Sequence, residues 1–109
     1  MTPKVLIELP ADDSGRARKF WEGLLQMQLD PRAPGDGSGW QAEYEGIALG
    51  VHERGTGPGD RFSLPYFPVG DMAAAIARVL ELGGEIVHPG ERWAICRESE
   101  GTPFALAAS

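Results

Sequence analysis

The stretch Lys4–Leu25, KVLIELPADDSGRARKFWEGLL, reads as a strand that passes through a turn directly into an amphipathic helix. Residues 62–84, FSLPYFPVGDMAAAIARVLELGG, repeat the scheme. Sliding one onto the other by 58 places sets Pro10 on Pro68, Asp13 on Asp71 and Ala17 on Ala75, while the helix faces agree better with a slip of one residue. Two copies of one strand-turn-helix unit indicate an internal duplication, and a duplication constrains the whole fold.

In the first copy Val5, Ile7 and Leu9 alternate with Leu6 and Glu8, the period of a strand with one apolar and one mixed face. Pro10 is expected to end it, and Asp12 or Asp13 to cap a helix whose apolar stripe is Ala17, Phe20, Trp21, Leu24 and Leu25, with Arg16, Arg18 and Lys19 mostly on the opposite, solvated side. Met27 to Leu29 suggest a brief strand, and Pro31 to Gly39 form a turn-rich loop without periodicity. A hairpin follows: Trp40, Ala42 and Tyr44 alternate up to the pair Glu45-Gly46, and Ile47, Leu49 and Val51 alternate beyond it. The second copy predicts a strand from Phe62 to Pro68 and a helix capped by Asp71 with the stripe Met72, Ala75, Ile76, Val79 and Leu80, stopped by Gly83-Gly84. Strands at Glu85–His88, Arg92–Arg97 and Pro103–Ala107 complete it, the last two joined through Ser99 to Thr102. The expected organisation is one domain over residues 1–109, with a βαβββ module at 1–54, a Gly-rich linker at 55–60 and a second module at 61–109. GTGPGD in that linker lacks the Gly-Lys-Ser/Thr of a phosphate-binding loop and reads as a hinge.

Composition narrows the function. The 109 residues carry 42% hydrophobic and 24% charged side chains, ordinary for one globular domain. A net charge of -6 with no basic run argues against nucleic acid, which needs a clustered Lys/Arg surface. No segment approaches the roughly 20 apolar residues that cross a bilayer. The lone Cys96 and the absence of a secretory-type start point to a cytoplasmic, reducing setting.

The order of D-x6-F-W at Asp13 to Trp21, L-G-G at Leu82 to Gly84 and E-S-E-G-T-P-F-A-L at Glu98 to Leu106 resembles the vicinal oxygen chelate superfamily, which includes glyoxalase I, bleomycin resistance proteins and extradiol dioxygenases. The resemblance implies an α+β fold, tandem βαβββ modules forming a curled mixed eight-stranded sheet with helices on the convex face and a ligand cleft on the other, often in a homodimer. Metal-dependent members take His and Glu ligands from the first and last strands of each module. At those places this chain has Leu6, Leu64, Ala48 or Gly50, and Ala105, none of which binds a metal. Zinc, nickel or iron needs three or more convergent donors, so no metal or other cofactor is expected.

Alternation supplies an independent assignment of faces. If the helices cover Val5, Ile7, Leu9, Ile47, Leu49, Val51, Phe104 and Leu106, the opposite face carries Leu6, Glu8, Ala48, Gly50, His52, Ala105 and Ala107. Such small residues leave a void for a ligand or permit close packing on a partner subunit; both readings stand. Glu8 is a pocket carboxylate, a base, or a group paired with Arg, Tyr or backbone N–H, because a mid-strand carboxylate is costly to bury alone. Tyr66 is its counterpart in the repeat. His52 shares the face of Glu8 near a strand end, and Trp40 and Trp93 are candidate aromatic walls. His88 belongs to a turn, and Cys96 reads as a packed thiol. The function expected is therefore binding of a small organic molecule without a metal, for sequestration or resistance. The alternatives are a lyase, isomerase or dioxygenase using an atypical metal site or Glu8 as base, and an interaction module whose cleft is filled by a partner.

Overall fold

The computed structural model describes residues 4–34, 37–57 and 59–109, so Gly35 and Asp36 of the turn-rich loop and Pro58 of the linker lie outside the described residues. The chain packs as two compact units, one of Leu6–Ser63 and one built on Leu64–Ser109. The first runs β1 (Leu6–Ala11), α1 (Ser14–Leu25), β2 (Asp30–Pro31), β3 (Trp40–Tyr44) and β4 (Ile47–Glu53). The second runs β5 (Leu64–Val69), α2 (Met72–Glu81), β6 (Glu85–His88), β7 (Trp93–Arg97) and β8 (Pro103–Ala108). Each is a βαβββ module, and the α+β class expected from the sequence is the one found. Strand order is β2-β3-β4-β1 in the first unit and β5-β8-β7-β6 in the second, with a parallel pair (β1 with β4, β5 with β8) and antiparallel partners beside it. Among the described residues no helix is long and apolar enough to cross a membrane.

Both helices start as the sequence predicts. Asp13 and Asp71 have extended backbones, and their carboxylates accept from the N–H of Arg16 and of Ala74, each at 3.0 Å. A cap of this kind is worth about 1 kcal/mol. Asp12 instead pairs with Arg54 at 2.8 Å. The end of α2 also follows expectation, with Gly83 at φ +91 and the Gly84 N–H on the Val79 carbonyl.

Several boundaries differ, each for a local reason. Pro10 does not end β1, because a proline withholds only one donor from the ladder; the Ala11 carbonyl still accepts from Arg54 N–H at 2.7 Å. Met27–Leu29 is not a strand. Gln26 turns left-handed at φ 54, and the Leu29 N–H is drawn back to the Glu22 carboxylate at 2.8 Å, which leaves Leu29 fully buried and β2 only two residues long. In the second unit the strand starts at Leu64, leaving Phe62 exposed.

The stripe that α1 turns inward is also not the one predicted. Ala17, Trp21 and Leu25 are half-buried as expected, but Phe20 and Leu24 are each 60% exposed, and Arg18 and Glu22 take the inward places. The Arg18 guanidinium lies 3.9 Å from the centre of the Trp40 ring, a cation–π contact. The second helix keeps closer to plan. Ala75 is buried among Ala94, Cys96 and Leu106, with Met72, Ile76, Val79 and Phe104 packed around them, and only Leu80 departs by facing out.

Candidate functional site

Directly opposed residues in a sheet share a face, so register decides which side chains meet. In the first unit Leu6 lies opposite Ala48, Glu8 opposite Gly50 and Pro10 opposite His52, while β3 adds Gln41 opposite Gly50 and Glu43 opposite Ala48. Asp30 of β2 joins them opposite Gln41. The other face carries Ile7, Leu9, Leu49, Val51, Ala42 and Trp40, and α1 covers it through the Arg18–Trp40 contact. The two faces of this unit are those that alternation predicts.

Glu8 is the centre of the helix-free face. It is 7% exposed, midway along β1, where an ionised carboxylate without a partner is strongly disfavoured. Arg32, arriving from the loop after β2, supplies the partner: its Nη2 donates to Glu8 Oε1 at 2.5 Å, and its backbone N–H is anchored on the Gly39 carbonyl at 3.2 Å. The third member is His52, whose Nε2 is 3.6 Å from Glu8 Oε2. Its Nδ1 lies 2.8 Å from the Glu53 carbonyl. A carbonyl only accepts, so Nδ1–H is the donor there, and Nε2 is the nitrogen turned to the carboxylate.

Gly50 makes this arrangement fit. A β-carbon there would stand 1.9 Å from Glu8 Oε1 and 2.3 Å from Arg32 Nη2. The ion pair therefore lies against bare backbone. One part of it is unsatisfied: Arg32 Nε is buried without a hydrogen-bond partner among the described residues. One step along the same strands a groove of about 380 Å³ opens, with Leu6 and Ala48 on its floor and Asp30, Gln41 and Glu43 from the same face around it. That volume is within the range of small-molecule sites.

The structure brings Glu8 and His52 together and adds Arg32, which no periodicity marks because it stands in an aperiodic loop. It does not bring Trp40 to them. Trp40 pairs with Val51 on the helix-covered face, under Arg18, because the two-residue turn Glu45-Gly46 aligns Tyr44 with Ile47 and so fixes the register of the hairpin. Tyr66 and Trp93 belong to the second unit. Tyr66 packs on Leu64, Ile95 and Ala105, whereas Trp93 is 43% exposed and stacks on His88 with centroids 4.8 Å apart. His88 is thus the last residue of β6 and a stacking partner rather than a turn residue. Cys96 is fully buried, and burial pushes its thiol pKa up, away from nucleophilic reactivity.

A metal of the type used by related enzymes does not fit these residues. Leu6, Ala48, Leu64 and Ala105 have no donor atoms, Glu8 and His52 supply two at most, and Glu8 is already held by a guanidinium. Among the described residues no three His, Cys, Asp or Glu groups converge. The arrangement is suited to hydrogen bonding and charge pairing with an organic group.

Comparison with solved structures places the fold among known ones. A protein of the glyoxalase/bleomycin resistance protein/dioxygenase superfamily from Vibrio splendidus 12B01 is similar at TM-score 0.69, with 16% identity over 99% of this chain and 100% of its own. The NAD-dependent benzaldehyde dehydrogenase structure from Legionella pneumophila is similar at 0.74, with 11% identity over 95% and 97% of the two chains. A Staphylococcus aureus protein is similar at 0.65, with 17% identity over 99% and 97%. At such identities the likeness concerns the fold alone. No curated protein matches the sequence significantly. The family model of the glyoxalase-like domain matches residues 4–107, nearly the full length. The chain belongs to the glyoxalase-like domain family and has the fold of the vicinal oxygen chelate superfamily.

Proposed function

We propose that the protein binds a small organic molecule in the groove of its first unit, using the Glu8–Arg32–His52 cluster as the polar anchor, and that it acts by sequestration without a metal. The observation that carries this reading is the roughly 380 Å³ groove over Leu6 and Ala48, edged by Asp30, Gln41 and Glu43, on the sheet face that carries the buried Glu8–Arg32 pair two residues further along β1. Apolar walls with a few fixed polar groups are the usual composition of a small-molecule site. Glu8 is 7% exposed, with one carboxylate oxygen on Arg32 and the other facing His52, which speaks against it as a catalytic base, since a base needs an oxygen open to the substrate proton. We further read the protein as a homodimer. Phe20 and Leu24, side by side on the outer surface of α1 and each 60% exposed, favour burial against a second copy.

A thermal-shift screen of small organic molecules tests the binding reading, because a ligand specific for the folded state raises its stability. Hits are expected to lose their effect in Ala48→Trp, which fills the groove, and to weaken in Glu8→Gln. Hits indifferent to Ala48→Trp, or stoichiometric nickel, zinc or iron in protein purified without added metal, would overturn it.

A further inference from the structure

Arg32 occupies a recess whose walls belong to two adjacent strands. Glu8 on β1 supplies the counter-ion, Gly50 on β4 a floor without a β-carbon, and His52 on β4 an imidazole nitrogen beside the second carboxylate oxygen. A carboxylate above a flat, bare stretch of backbone is the shape that receives a planar cation. The occupant, however, arrives from outside those walls, on the irregular stretch after β2.

Its fit is also incomplete. A guanidinium held in the strongest way presents two parallel N–H groups to the two carboxylate oxygens. Arg32 reaches Oε1 with Nη2 alone, while Oε2 faces His52 and the Nε of Arg32 is buried without a partner among the described residues. The backbone anchor on Gly39 fixes where the side chain starts, and from that point it delivers Nη2 alone to the carboxylate. An untethered guanidinium has no such anchor and can rotate to use both oxygens.

From this we propose that the Glu8–Gly50–His52 recess is the head-group subsite of the groove, that it takes small molecules bearing a guanidinium or amidinium group, and that Arg32 is a tethered stand-in which such a molecule displaces. The inference rests on the groove reading above and adds the chemical class. The remainder of the ligand runs over Leu6 and Ala48, the pair two residues along from Glu8 and Gly50, about 7 Å away at the usual strand rise. As a built-in competitor at the millimolar effective concentration typical of a short tether, Arg32 also sets a threshold below which weak cations do not enter.

The test uses methylguanidinium chloride as probe, with sodium chloride and tetramethylammonium chloride at equal strength as controls for screening. In Arg32→Ala the probe is expected to raise the unfolding midpoint saturably by several degrees at low millimolar concentration. Wild type should respond much less, and Glu8→Gln/Arg32→Ala not at all. No response in Arg32→Ala, an equal response in the double variant, or an equal response in wild type would overturn the inference. Should Arg32→Ala fail to fold, Arg32→Lys retains a cation, and the probe should move the amide resonances of Glu8, Gly50 and His52 in that variant; unmoved resonances refute the subsite. The two readings fail separately. Screening hits lost in Ala48→Trp, with no methylguanidinium binding, leave the groove and remove the head-group assignment. Methylguanidinium binding with no hit sensitive to Ala48→Trp does the reverse.

Discussion

At the scale of single residues, Gly50 and Arg32 control the site. A β-carbon at position 50 would stand within 2.3 Å of both members of the Glu8–Arg32 pair, so Gly50→Ala must separate them or shift the strand. Overpacking of this kind costs about 1–3 kcal/mol, and urea denaturation should show a loss in that range. Arg32→Met should cost about 3 kcal/mol, because it strands a buried carboxylate, whereas Glu8→Leu/Arg32→Met should recover most of the loss. A double variant as unstable as the single one would show that Arg32 stabilises through packing rather than charge. The sequence revealed part of this cluster. Glu8 and His52 share a face by the period of two, whereas Trp40, expected as an aromatic wall, stands on the opposite face, where the register of the hairpin sets it against Val51. Arg32 was hidden because an aperiodic loop presents no face, although a mid-strand carboxylate requires a partner from somewhere.

At the scale of the element, α1 shows why periodicity alone left an ambiguity. The predicted stripe through Phe20 and Leu24 and the observed one through Arg18 and Glu22 both follow helical spacing, since they share Ala17, Trp21 and Leu25 and differ by a rotation of only about 60°. Hydrophobicity favours the first. The second prevails because Trp40 offers its ring to Arg18 and the Leu29 N–H needs an acceptor, which Glu22 provides. Trp21→Ala should therefore cost about 2–3 kcal/mol, less than a fully buried aromatic would. Phe20→Ser/Leu24→Ser should cost about 1 kcal/mol of monomer stability in a denaturant titration, chiefly the edge contact of the Phe20 ring with Trp21, and should lower the sedimentation coefficient if that surface joins two copies. Glu22 gives the element a pH dependence. The Leu29 N–H holds its carboxyl below the usual range, against the opposing effect of burial and with lesser help from the Arg18 guanidinium. A carboxyl depressed on folding contributes fully above the ordinary carboxylate range and loses that contribution as pH falls through its lowered value. The difference in urea midpoint between wild type and Glu22→Gln should accordingly be largest near neutral pH and shrink in acid; a difference constant with pH would mean that the charge is irrelevant.

At the scale of the whole molecule, the duplication kept its frame and changed its contents. Both units retain the aspartate cap, the parallel pairing of first and last strands and an apolar face under a helix. Their opposite faces have diverged: Glu8, Gly50 and His52 stand in one, and Leu64, Tyr66, Ile95 and Ala105 pack in the other. This was legible in the sequence, because a shift of 58 sets Leu6 on Leu64 and Glu8 on Tyr66, so the repeat reproduces a hydrocarbon where a related enzyme repeats a ligand. The consequence is measurable. A metal bound to the folded state alone, at 100 times its dissociation constant, adds about 2.7 kcal/mol, and for a chain of 109 residues that raises the unfolding midpoint by about 10 °C. Glu8 and His52 offer two donors, one already committed to Arg32, and cannot hold an ion that strongly. Dialysis against a chelator, followed by nickel, zinc or ferrous iron, should thus leave the midpoint within about 1 °C of its starting value at each step. A drop of several degrees on chelation, reversed by one of these ions, would mean that an ion recruits donors which the folded chain holds apart.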